Sequence, residues 1–132
     1  MTPTLIGRWQ SRVVILGTVG VLVTLFFGAA MGDVGTPLAV LLLVVVLGLG
    51  WDVLYTFLQR LRWDQDWPPL LVLLSGIWEA LVVWVLIPGF PRPLAAHFVL
   101  HYALVWLAMY AMLFGGMRIL FPHWRFNGGR VL

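Results

Sequence analysis

Four apolar stretches, at 13–32, 37–58, 69–87 and 94–121, fill most of the 132 residues and leave little choice of fold. A helix that crosses a hydrocarbon core about 30 Å thick needs about 20 such residues. Each stretch meets that length, and the pieces between them are too short for a separate soluble domain. The run 38–47, Leu-Ala-Val-Leu-Leu-Leu-Val-Val-Val-Leu, is apolar on every side. That disfavours a transmembrane β-barrel, whose strands alternate with period two. With 62% hydrophobic and 10% charged residues, the chain lacks the polar surface that a water-soluble domain of this size requires. The expected fold is therefore all-α: a polytopic four-transmembrane-helix bundle, one domain over 1–132, with a short tail at 122–132. Short connections make successive helices antiparallel neighbours.

Charge gives the bundle a direction. All eight basic residues are arginines, and Arg8, Arg12, Arg60, Arg62, Arg118, Arg125 and Arg130 fall on one side of the four stretches, against Arg92 on the other. The positive-inside rule then places both termini and the middle loop in the cytoplasm. Trp9, Trp63, Trp67 and Trp124 fall on the same flanks, as in an interfacial aromatic belt. Arginine without lysine, among many Ala, Gly, Val and Leu, fits the plasma membrane of a bacterium with a GC-rich genome. A basic flank, an apolar stretch and Gly28-Ala29-Ala30 also resemble a cleaved signal peptide. The stretch is long enough to span, and that reading is preferred.

Two of the stretches carry an acid directly after a tryptophan, Trp51-Asp52 and Trp78-Glu79. An ionisable group at bilayer depth is costly and faces a bundle interior, a wet cavity or a partner. Gly48, Asp52, Tyr55, Thr56 and Gln59 recur at three- and four-residue steps, so they line one helical face. Helical rise puts Asp52 and Glu79 within about 4 Å of the same depth. His101 matches the depth of Glu79, which makes a Glu79–His101 hydrogen bond feasible, and Arg118 is long enough to reach back toward Asp52. The same residues support two readings. One is a fixed polar seam between helices; the other is a proton relay from Gln59, Thr56 and Tyr55 through Asp52 and Glu79 to His101 and His97.

Other chemistry has thinner support. His97 and His101 share a helical face and, with Glu79 as a third ligand, are the candidates for a divalent metal. Haem would need a histidine from a second helix or chain. Asp64-Gln65-Asp66 has the form of a cation-holding DxD, a very unspecific signal. No cysteine is present, which excludes disulfides, thiolate zinc and thiol redox chemistry. The net charge of +3 makes no compact basic patch, so nucleic acid is not an expected partner. No cofactor is expected.

Thr36 and Asp66 are the expected caps of the second and third helices. Gly28 with Gly32, and Ala111 with Gly115, have the small-xxx-small spacing that lets helices approach. The aromatic and basic tail suits headgroups or a cytoplasmic partner, with Asn127-Gly128-Gly129 as a flexible turn. Without a reactive motif or an extramembrane domain, the leading functional expectation is association, as an accessory subunit or a homo-oligomer. The bilayer and other membrane subunits are then its partners. A proton-coupled transporter or channel is the alternative, and an enzyme acting on a lipid-borne substrate, with Asp64, Asp66 and the histidines supplying a cation site, a minor one.

Overall fold

The computed structural model describes residues 2–87 and 93–132. Within them are four long helices and no strand: α1 Leu5–Met31, α2 Gly35–Leu61, α3 Pro69–Leu86 and α4 Ala95–Leu120. All four are long and apolar enough to cross a membrane. Most of the connection between α3 and α4, including Arg92, lies outside the described residues.

The largest departure from expectation is at the start of α1. The helix begins at Leu5 instead of residue 13, because the Thr4 hydroxyl accepts the Gly7 N–H at 3.1 Å and caps it. Arg8 and Arg12 are therefore helical residues inside the bundle rather than markers of its edge. A single wide π turn, Leu16–Gly20, interrupts α1, and a second, Met112–Gly116, interrupts α4. Such turns hold one extra residue and rotate the face presented beyond them.

Gly28 and Gly32 shape the turn after α1 instead of an inter-helix seam. A side chain on Gly28 would meet the backbone of Asp33 and Val34, and Gly32 ends the helix in the left-handed region at φ 75°. Asp33, not Thr36, caps α2, its carboxylate accepting the Thr36 N–H at 3.2 Å. Hydrogen bonds from Thr36 hold that carboxyl below its usual range. Pro68, not Asp66, stands at the N-cap of α3, without a side-chain cap. A side chain on Gly115 would meet open space, and Ala111 is exposed, so that pair makes no close helix approach among the described residues.

Ile15 and Leu16 of α1, Val44 of α2, Val83 of α3 and Val105 of α4 meet in one apolar core. Along α4, Phe98, Tyr102 and Trp106 stack at four-residue steps, with centroids 5.8 and 5.9 Å apart.

The tail folds back onto α1. Gly128 O accepts from Thr4 N at 2.8 Å, Ser11 Oγ donates to Gly129 O at 2.9 Å, and Val131 N donates to Gln10 Oε1 at 2.9 Å. Trp124, expected in an interfacial belt, is 2% exposed and donates its indole N–H to Ser11 Oγ at 2.7 Å. The two glycines after Asn127 make a fixed strap, because φ of 63° and 81° suits glycine and the strap carbonyl lies directly against Gly7. A side chain at Gly7 would overlap the Gly128 carbonyl. Gly7→Val is expected to cost about 1–3 kcal/mol through this overlap. Trypsin cleavage after Arg125 in detergent should then speed up roughly tenfold or more, as the open population rises. An unchanged cleavage rate would mean that the strap does not hold the tail.

Candidate functional site

The inward stripe of α2 forms as its spacing predicts: Gly48, Asp52, Tyr55 and Gln59 are buried on one face. Thr56 sits at the margin and returns its hydroxyl to Asp52 O at 2.7 Å. Glu79 of α3 faces the same interior and is 2% exposed. Between the acids stands Arg12. Its Nε and Nη2 donate to the two oxygens of Asp52, both at 2.9 Å. Its Nη1 and Nη2 donate to Glu79 at 3.0 and 3.3 Å. Tyr55 Oη adds a hydrogen bond to Glu79 Oε1 at 3.0 Å.

The planar guanidinium fork matches two carboxylates at once, as an ammonium would not. It fits because α2 has no side chain at Gly48; a Cβ there would overlap the guanidinium. Three helices are thus joined at one point by charge-assisted bonds. One turn toward the α1 N-terminus, Arg8 Nη2 donates to Gln59 Oε1 at 2.6 Å, and its guanidinium lies 4.9 Å over the Trp67 ring. On the other side of the acids, Trp51 and Trp78 meet edge to face at 6.1 Å.

The other expected partners lie elsewhere. Arg118 makes no ion pair with Asp52; it is exposed, with its guanidinium 5.7 Å from the Phe114 ring. His101 does not bond Glu79; its Nε2 shares a 2.9 Å hydrogen bond with Thr24 of α1, while Glu79 is taken by Arg12 and Tyr55. The His101 ring also packs on Phe27 at 5.1 Å, and His97 meets the same ring edge-on at 6.4 Å. Asp64 pairs with Arg62 at 3.0 Å in the α2–α3 connection. That hydrogen-bonded pair holds the Asp64 carboxyl below its usual range. His97 and His101 belong to the first two turns of α4, toward the opposite end of the bundle from Asp64. No group of three His, Asp or Glu among the described residues is placed to hold a metal ion.

Sequence reasoning missed Arg12 because it treated the charge as the boundary of the first span. The signal was available in Gly48. That glycine shares a face with Asp52 one turn away, and two deep acids call for a cation.

The site is closed. Every carboxylate oxygen of Asp52 and Glu79 accepts from Arg12, and the Tyr55 phenol is committed to Glu79. Neither acid is left unpaired. The chain matches no family model, and no curated protein or solved structure aligns with it.

Proposed function

We propose that this chain is a multi-pass protein of a bacterial plasma membrane, with both termini cytoplasmic, that works by association through its third and fourth helices. The docking of the tail on the α1 N-terminus supports a common side for the termini. The arginine bias supports the cytoplasm as that side, although Arg12 is better counted with the core than with the flank.

The observation that carries the association reading is the poor cover of α3. Only 17% of its most apolar window is buried, against 33% in each of the other three helices. A groove of about 570 Å³ runs between α3 and α4, floored by Ala80 and Ala103 and walled by Trp84, Phe98, Trp106 and Leu107. Gly76 of the same lining is covered by the Trp106 indole, so the small residues left open for another helix to approach are Ala80 on α3 and Ala103 on α4. The occupant that fits is a transmembrane helix of another protein chain, a second copy or a larger subunit. The Arg12 site favours this reading over the relay, since both acids serve to fix the bundle that presents the groove.

Protein taken from native membranes in mild detergent is expected to run by light scattering as a complex larger than one chain. Ala80→Phe and Ala103→Phe, which fill the groove, should reduce it to one chain plus detergent. A wild type that is monomeric at every concentration, or a complex unaffected by both substitutions, would sink the proposal.

A further inference from the structure

Among the described residues, two buried side-chain polar atoms have no hydrogen-bond partner: Arg8 Nε and Trp106 Nε1. Both are N–H donors, and both residues line one cavity. It has a volume of about 100 Å³ and lies between α1, α3 and α4, toward the end of the bundle where the termini meet. That is well above the ~10–15 Å³ needed for a single water. Trp106 is 94% buried by its 6% exposure, so bulk water does not serve its indole. A buried donor left without an acceptor is costly and points to something that completes it.

The lining has donors to spare, and the oxygens of its one carboxylate, Asp52, are taken. Arg8, Arg12 and Arg118 contribute three positive charges, against one on Asp52 in the lining and one on Glu79 behind it. The balance is +1. The oxygens of both acids are already taken by Arg12 and Tyr55. Arg118 has no acidic partner among the described residues and stands exposed as part of the same lining. Val72, Met109, Leu113 and Phe114 make the rest of the wall largely apolar. Basic pockets between helices at this level of a bundle are suited to anionic headgroups.

We propose that this cavity binds a phosphate group, held by Arg118 and the unpartnered N–H groups of Arg8 and Trp106, with the apolar wall against the carbon skeleton that carries it. The phosphate belongs either to a lipid headgroup or to a free anion. Trp106 also borders the α3–α4 groove, whereas Arg8, Arg12 and Arg118 do not, so the inference does not rest on that groove being an interface.

The test is a binding titration on the full chain in neutral detergent, with stoichiometry read by native mass spectrometry. The probes are dioleoyl phosphatidylglycerol, dioleoyl phosphatidylcholine and inorganic phosphate. One phosphatidylglycerol per chain is expected, bound about tenfold or more tighter than phosphatidylcholine. Arg118→Gln, on an exposed residue that leaves the core alone, should weaken it by about tenfold. Trp106→Phe, which removes only the N–H donor and the indole edge, should weaken it too while phosphatidylcholine binding stays the same. Displacement of the lipid by millimolar inorganic phosphate would assign the site to the free anion; failure to displace it would assign the site to the lipid. Equal affinity for the two lipids, or a preference retained in both variants, would overturn the proposal and leave water as the cavity's occupant.

Discussion

Arg12→Met is expected to be the most damaging single substitution in the chain, lowering the stability of the folded bundle by about 3–5 kcal/mol. Methionine keeps much of the aliphatic length of arginine, so loss of packing is the smaller part. The larger part is two buried carboxylates, each 2–5% exposed at the side chain, facing each other without a counter-ion. Neutralising one acid should be milder. Glu79→Gln or Asp52→Asn leaves one arginine and one carboxylate, a neutral pair still in hydrogen-bond contact, and about 1–2 kcal/mol is expected for each. The triple variant Arg12→Met, Asp52→Asn, Glu79→Gln should recover much of what Arg12→Met loses. Groups bonded at one point do not contribute additively. Unfolding in mixed micelles, followed by tryptophan fluorescence, measures all four. If Arg12→Met unfolds at the wild-type midpoint, the ion triad does not hold the bundle.

The number of helices and their approximate extents were legible because long apolar runs have one low-cost solution when no polar partner is in reach. The inward face of α2 was legible for a similar reason: Asp52, Tyr55 and Gln59 keep helical spacing, and polar groups collect on the buried side. What was not legible was pairing across helices. Depth matching put His101 beside Glu79, but depth fixes only one coordinate, and His101 bonds Thr24 of α1 instead. Arg12 was hidden by a rule that holds on average, that arginines end a span, because a buried arginine between two acids looks in sequence like any flanking charge. The tail was misread for a physical reason as well. Trp124 and Arg125 have the composition of an interfacial segment, whereas the close approach of Gly7 to Gly128 depends on two glycines 121 positions apart.

Gly48→Ala tests whether the triad depends on the small residue beneath it. The added methyl would fall on the guanidinium of Arg12, overlapping Nη1 and the carbon that bears it. An arginine tip is ordinarily free to swing away from such a contact. Here it is held in opposite directions by Asp52 and Glu79, so any shift lengthens bonds that now measure 2.9–3.3 Å. Alanine is otherwise the better helix former, by about 1 kcal/mol over glycine in a helix interior. Without the clash, the substitution would therefore stabilise α2. The expected result is a net loss of about 2 kcal/mol, an overpacking penalty of about 3 kcal/mol less the helix gain of about 1 kcal/mol. The origin of that loss is checked in the background lacking Arg12, Asp52 and Glu79 as charged groups. There methionine can move aside, and Gly48→Ala should become neutral or stabilising. A loss of the same size in both backgrounds would place the clash on the helix packing itself, and would remove Gly48 from the account of how this chain buries its charges.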